Sequence, residues 1–251
     1  MRVIHSYHNT LAADRGAAVA IGNFDGVHLG HQSVIDIARA TADKTNAPLG
    51  VLTFEPHPRA YFAPQTTAFR LMSPAARRNR LAKLGVTHLY ELRFDAALAA
   101  LTPEDFARDV ISQGLGLSQV VIGQDFCFGK GRAGTAEDLV RFGDAFGFGV
   151  SLAPLLETQG AQVSSTAIRT ALSEGRPRDA AAMLGHWHRI EGEVIRGEQR
   201  GRELGYPTAN MSISGLHQPK FGVYAVKVDV LNGPHKGSYD GAASIGVRPM
   251  F

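Results

Sequence analysis

The sequence predicts an α/β fold: a Rossmann-like parallel-sheet domain followed by a small antiparallel β-barrel domain. Up to about residue 185, short apolar or β-branched runs alternate with helical stretches, the pattern of βαβ units. Helix caps and breakers fall between these runs. After Gly185 the apolar period shortens to two and helical spacing disappears.

The strand candidates of the first part are Ala17–Ile21, Leu49–Phe54, His88–Leu92, Val120–Ile122 and Val150–Ala153. Ser73-Pro74, Thr102 with Pro103 and Asp105, and Thr135 with Asp138 are N-terminal helix signals: a capping oxygen, a proline at the first position or an acid in the first turn. Gly85, Gly116 and Gly175 stand where helix C-caps belong. In parallel sheets of this kind, ligands bind at the carboxyl ends of the strands. The second part offers the alternating runs Ile190–Ile195, Val223–Val230 and Ser238–Ile245, with a turn at 232–237. The expected domains are 1–182 and 187–251. About 65 residues is little for a closed barrel, so the second domain is expected to be truncated at its C-terminus.

Composition bounds the function. The 251 residues are 44% hydrophobic and 20% charged, a globular mixture that excludes disorder for the bulk of the chain. The 28 Gly and 12 Pro show no fixed period, which excludes a collagen-like repeat. The net charge of +3 suits an anionic small-molecule substrate as well as nucleic acid. The single cysteine, Cys127, cannot form an intrachain disulfide, and no signal peptide is evident, so a cytoplasmic location is expected. No apolar run approaches the ~20 residues of a membrane span.

The richest motif is Ile21-Gly22-Asn23-Phe24-Asp25-Gly26-Val27-His28-Leu29-Gly30-His31, directly after the first strand candidate. Its glycines let the backbone approach a ligand, and the free amides of the helix that follows favour an anion. Two imidazoles there can donate to oxygens that gain charge when an α-phosphate is attacked. Metal ligation is disfavoured, because no Cys, Asp or Glu completes a zinc set nearby. The bland alternative is a glycine-rich turn with two surface histidines.

Three further strand-end segments stand out. Thr53-Phe54-Glu55-Pro56-His57-Pro58 reads as a rigid extended loop, its prolines denying a helix. Gly123 to Gly134 contains Asp125, Phe126, Cys127, Phe128, Lys130 and Arg132, able to grip a flat ring and a phosphate. Val163-Ser164-Ser165-Thr166-Ala167-Ile168-Arg169 combines a helix cap with a guanidinium one turn in, a triphosphate clamp; capping alone would explain the serines. Arg77, Arg78 and Arg80 read as a solvated helix face, or alternatively as an RNA footprint.

The His-Leu-Gly-His tetrad is similar to the signature of the nucleotidyltransferase superfamily. The order and spacing of Phe-Asp-Gly-Val-His, Thr-Phe-Glu-Pro-His-Pro, Gly-x-Asp-Phe-x-Phe-Gly and Ser-Ser-Thr-x-x-Arg resemble the prokaryotic bifunctional riboflavin kinase/FMN adenylyltransferase family, also called FAD synthetases. Over nearly the whole chain, that resemblance implies transfer of AMP from ATP to FMN, giving FAD and pyrophosphate with no covalent enzyme intermediate. It implies that His28 and His31 stabilise the transition state. Gly22, Asn23, Phe24, Gly30, Ser164, Thr166 and Arg169 would meet ATP, and Glu55, Pro56, His57, Pro58, Asp125, Phe126 and Phe128 the flavin. Pro207-Thr208-Ala209-Asn210 resembles the kinase signature, which implies that Thr208 and Asn210 hold nucleotide phosphate and Mg²⁺ for phosphorylation of riboflavin. Cys127 stands where the family carries arginine and Met250 where it carries threonine. The family's kinase base falls beyond Phe251, so this chain is expected to make FAD from FMN but no FMN from riboflavin. The first domain is expected to suffice for FAD, since all its motifs precede residue 170.

Small-molecule substrates are thus expected, with no nucleic-acid or membrane partner and the oligomeric state open. The rivals are another nucleotidyltransferase, acting on phosphopantetheine or nicotinamide mononucleotide and typically lacking a Pro-Thr-Ala-Asn barrel, a basic RNA-binding module, and a flavin-binding regulator without catalysis.

Overall fold

The computed structural model describes residues 1–65, 67–158, 161–196, 205 and 208–246. Its centre is a six-stranded sheet of β1 (Arg2–Ile4), β2 (Ala18–Ile21), β3 (Leu49–Glu55), β4 (His88–Arg93), β5 (Gln119–Gly123) and β6 (Gly149–Ala153). The spatial order is β1-β4-β3-β2-β5-β6, and every pairing is parallel. All five strand candidates of the first part lie within one residue of observed strands at each end. The edge strand β1 was not anticipated: three residues, none fully buried, carry no periodic signal.

β2 is buried along its whole length and divides the core. Val19 and Ile21 face a cluster with Tyr90, Phe106, Ile111 and Ile122. Ala18 and Ala20 face the other side, with Phe24, Ile35, Leu81 and Val121. This period of two, buried on both faces, is what a central parallel strand requires. From β2 the chain first builds outward through β3 and β4, then returns to place β5 and β6 on its other side. The loops after β2 and β5 therefore flank the point where winding reverses, the usual ligand crevice.

Helices α1 (Leu29–Thr45), α2 (Pro58–Phe62), α3 (Pro74–Lys83), α4 (Ala96–Ala100) and α5 (Pro103–Asp105) fill the connections up to β5, and α5 runs on into a π-helix over Phe106–Leu115. α6 (Ala136–Phe146) precedes β6, and a hairpin of β7 (Glu157–Thr158) and β8 (Ala161–Gln162) leads to α7 (Ser165–Ser173) and α8 (Pro177–Leu184). The cap signals hold. Ser73, Thr102 and Thr135 accept from the amides of Ala76, Asp105 and Asp138. Gly85, Gly116 and Gly175 take positive φ at the helix ends.

One local expectation is overturned. Pro58 does not deny a helix; it opens α2 at the first helical position, where its missing N–H would have had no partner.

The second part is antiparallel, as expected. β9 (Val194–Ile195) pairs with β10 (Asn210–Met211), and β11 (Gly222–Val230) with β12 (Gly237–Ile245). Of the Ile190–Ile195 run only Val194 and Ile195 form strand. Among the described residues these two pairs are separate sheets. Gly197–Leu204, Tyr206, Pro207 and the segment from Val247 to Phe251, including Met250, lie outside the described residues.

Candidate active site

The loop leaving β2 is built around conformations that few residues accept. Phe24 and Val27 both hold positive φ (51° and 44°), unusual for an aromatic and more so for a β-branched residue. Such backbone persists only where its surroundings over-determine it. Asp25 supplies much of that. Only 4% exposed, it accepts from the Leu71 amide at 2.8 Å through Oδ1 and from Arg169 Nη2 at 2.5 Å through Oδ2. Its carbonyl accepts from Ser165 Oγ at 2.8 Å. Asn23 is fixed similarly, its carbonyl accepting from Thr53 Oγ1 and Arg77 Nη1, each at 3.2 Å. Gly26 must be glycine, because its φ is +89° and a Cβ would lie 2.8 Å from Leu71 Cδ1.

The loop delivers His28 as the N-cap of α1, one residue before the helix. His28 Nδ1 accepts from the His31 amide at 3.3 Å. The proton of a neutral His28 therefore sits on Nε2, free to donate outward. The His28 and His31 rings stack at 3.6 Å between centroids, and Phe24 lies 5.0 Å behind His31. Gly30 makes this possible, since a Cβ there would meet the His28 ring at 3.2 Å. The first amides of α1, at Leu29 and Gly30, have no carbonyl one turn back. His31 Nδ1 is enclosed with no hydrogen-bond partner among the described residues.

Burial pushes His28 down to about 4, and the Arg169 charge adds to it. Burial and the neighbouring His28 hold His31 well below the ordinary 6.5. At neutral pH both rings are uncharged donors. His57 and His188 are also lowered to about 4, each chiefly by burial. An imidazole depressed on folding takes up its proton more readily once unfolded, so the contribution of these histidines to folding stability falls as pH drops from 6.5 towards 4 and levels below that. Urea unfolding between pH 7.5 and 4.5 is expected to show about two to three extra protons bound per molecule unfolded. A flat profile over that window would contradict these buried neutral rings.

The segment after β6 arrives beside this pair. Ser164 caps α7, accepting from the Ala167 amide at 3.1 Å, and Thr166 is exposed on its first turn. Arg169 is not free as a simple clamp would be: its Nη2 is paired with Asp25 and its Nε donates to the Phe69 carbonyl at 2.6 Å. It joins α7 to the β2 loop.

Among the residues expected at the flavin, several face inward. Glu55 accepts a bidentate pair from Arg70, both at 2.7 Å, and a further bond from Arg77. His57 caps α2, its Nδ1 accepting from the Arg59 amide at 3.0 Å. The Glu55–Pro56 peptide is cis. Phe128 belongs to the core, while Asp125 is exposed and Phe126 half-buried. Phe126 and Phe128 nonetheless end a continuous chain of rings, Phe62–Phe94–Phe54–Phe106–Phe128–Phe126, with successive centroids 5.7–6.4 Å apart. This chain links the loops after β3, β4 and β5. Phe62, 67% exposed, and Tyr61 lie at its open end. Neither they nor Phe94 were singled out from the sequence, where their spacing showed no common period.

Asp25, Arg70, Arg77 and Glu91 were missed as well. Arg77 is no solvated helix face: 2% exposed, it bonds Glu55 and Glu91, and Arg78 also bonds Glu91. An RNA footprint at Arg77 and Arg78 is thus corrected to an internal ion network. In the second part, Thr208 is exposed and Asn210 half-buried on β10. Both offer hard oxygen donors of the kind Mg²⁺ prefers. Among the described residues no cluster of three or more His, Cys, Asp or Glu forms a metal site. No helix of the described residues is long and apolar enough to cross a membrane.

Comparison with known proteins gives the same order of parts. The FAD synthetase family matches residues 10–167 and the riboflavin kinase family residues 184–251. The bifunctional riboflavin kinase/FMN adenylyltransferase of Escherichia coli K12 is 36% identical over 250 residues, 99% of this chain and 79% of the relative. The protein of that description from Haemophilus influenzae is 38% identical over 251 residues, covering 100% of this chain and 80% of the relative. The one from Bacillus subtilis is 36% identical over 253 residues, covering 100% and 78%. A solved structure described as a macrolide-efflux protein from Streptococcus pneumoniae superposes with a TM-score of 0.84 at 31% identity, covering 100% of this chain and 80% of that one. Two matched domains in succession, the first on a parallel sheet whose switch point carries the stacked histidine pair, show that the chain belongs to the bifunctional riboflavin kinase/FMN adenylyltransferase family.

Proposed function

We propose that this protein makes FAD by transferring AMP from ATP to FMN, in a module spanning residues 1–182, and that residues 187–251 form a riboflavin kinase module. The observation that carries the first half is the pair of neutral, stacked imidazoles at the N-terminus of α1. An FMN phosphate oxygen attacks the α-phosphorus of ATP, the bond to the β-phosphate oxygen breaks, and pyrophosphate leaves. His28 Nε2–H and His31 donate to the non-bridging oxygens as charge grows on them, while the α1 amides hold the phosphates. No proton needs to be removed from the nucleophile, which is already anionic, so uncharged donors suffice.

Gly22, Asn23, Phe24 and Gly30 shape the nucleotide side, with Ser164 and Thr166 at the start of α7. Arg169 serves there through Asp25, and its charge reaches the site. The flavin ring lies against the aromatic chain, with Pro56, His57 and Pro58 near the exposed Phe62 end and Asp125 and Phe126 at the opposite end. Glu55 and Phe128 act behind that surface by holding it in place. Mg²⁺ neutralises phosphate charge when bound; Thr208 and Asn210 would hold it in the kinase module. The substrates are small molecules and the protein works in the cytoplasm, without a nucleic-acid or membrane partner.

The test is incubation of the 251-residue chain with FMN, ATP and Mg²⁺, followed by chromatography. FAD and pyrophosphate in equal amounts are expected. No FAD above the enzyme-free control would refute the reading. Transfer to nicotinamide mononucleotide or phosphopantetheine instead would favour the rival nucleotidyltransferase.

A further inference from the structure

The elements that hold Asp25 are themselves held from beyond residue 185. Asp25 is fixed by the segment Phe69–Leu71 and by α7. Both are met by one stretch of the second part. Leu216 bridges to Arg70 in parallel fashion, and the His217 amide donates to the Arg70 carbonyl at 2.7 Å. His217 Nε2 lies 3.0 Å from the Arg169 carbonyl and 3.1 Å from Ser173 Oγ, on the first-domain helix α7. The Lys220 amide donates to the Leu172 carbonyl at 2.9 Å, in the last turn of that helix. That carbonyl also accepts from the Gly175 amide at 3.1 Å, so the Lys220 contact adds a second donor at the end of α7. His217 is the residue of the stretch that joins both elements: its backbone is tied to the 69–71 segment and its ring to α7.

From this geometry we infer that His217 is a positioning residue for the adenylyl-transfer site, tying α7 to the segment that anchors the β2 loop. A neutral imidazole with its proton on Nε2 donates to the Arg169 carbonyl and fixes the height of α7. The capped N-terminus of that helix, at Ser164, then stands correctly against the nucleotide phosphates. The transfer site is thus not confined to the first 182 residues; residues 216–220 complete its frame. The inference rests on the functional reading above, through the role given there to α7.

The experiment is steady-state FAD formation by the full chain with His217→Ala, His217→Phe and His217→Gln. Phe keeps the ring volume without the donor, and the Gln amide nitrogen reaches about as far as Nε2. Ala and Phe are expected to raise KM for ATP about fivefold or more, with kcat within about twofold and KM for FMN little changed. Gln is expected to keep KM for ATP within twofold of wild type. A purely structural role would instead lower the active fraction, moving kcat and leaving KM alone, and that result overturns the inference. So does an unchanged KM for ATP in the Phe variant, which remains informative if the Ala variant does not fold. If the wild-type chain forms no FAD, the functional reading fails and the inference falls with it. If the wild type forms FAD and the Phe variant matches it, only the role of His217 is refuted.

Discussion

Replacing His28 or His31 by alanine is expected to lower turnover in FAD formation by roughly 10²–10³, with ATP affinity changed only a few-fold. The rings are donors aimed where charge grows in the transition state, and a donor of that kind is worth little to the bound ground state. His28 has a second duty, since its Nδ1 caps α1. Losing a cap costs about 0.5–2 kcal/mol of stability, so His28→Ala mixes two effects. His28→Asn separates them, because asparagine caps well but cannot place a donor where the imidazole Nε2 stands. It should keep near wild-type stability and still lose turnover on the order of a hundredfold. The pH profile adds a further check. With His28 pushed down to about 4, its protonation produces no acid limb near 6.5. Equal losses in ATP affinity and turnover, or wild-type turnover in His28→Asn, would make the pair ground-state ligands or mere structure.

Much of this arrangement is legible in the sequence. β2 announces itself because it is buried on both faces and so reads as an unbroken apolar run, and the first five residues of β3 and β4 are likewise buried; β6 is only half-buried, and its short apolar spacing sufficed. The caps at Ser73, Thr102 and Thr135 are local, and local chemistry decides them. The histidine motif was legible for the same reason: every residue of it lies within one turn and one helix start. What stayed hidden is what the fold assembles from distant residues. Asp25 reads as part of a loop signature, yet its work is to bind Arg169, 144 positions away. Arg77 sits in a run of arginines that any helical reading places on the surface, and only tertiary structure brings it to Glu55 and Glu91. His217 falls in a stretch with no period at all. Pro58 was misread because a proline forbids helix only in the interior, and the sequence alone did not show that it stood first.

The hidden network has the largest expected effect on stability: Glu91→Ala is expected to lower the free energy of unfolding by about 3–5 kcal/mol. The Glu91 side chain is 1% exposed and accepts from Arg77 Nη2 at 3.0 Å and from Arg78. Burial works to raise its pKa, but bonds from Arg78 and Arg77 outweigh this and hold it below the ordinary value. Arg70, Arg77 and Arg78 share Glu55 and Glu91, three cations on two carboxylates. Removing Glu91 leaves three on one, with Arg77 only 2% exposed and unable to reach water. Arg77 keeps Glu55 at 3.1 Å, but a buried charge that loses one of its two carboxylates and shares the other with Arg70 costs more than the lost pair contributed while intact. The double variant Glu91→Ala/Arg77→Met removes that stranded charge and should recover at least ~1 kcal/mol of the loss. The sign with pH follows from the depressed carboxylate. Its contribution is present above the unfolded value near 4.5 and is lost as pH falls through the folded one, so wild type and Glu91→Ala should converge in acid. Activity should suffer too, because Arg77 Nη1 holds the Asn23 carbonyl at the mouth of the histidine loop. Urea unfolding of the three proteins decides the matter. A loss below ~1 kcal/mol in Glu91→Ala, or a double variant less stable than the single, would show that water reaches this network and that Arg77 is not a buried charge in need of Glu91.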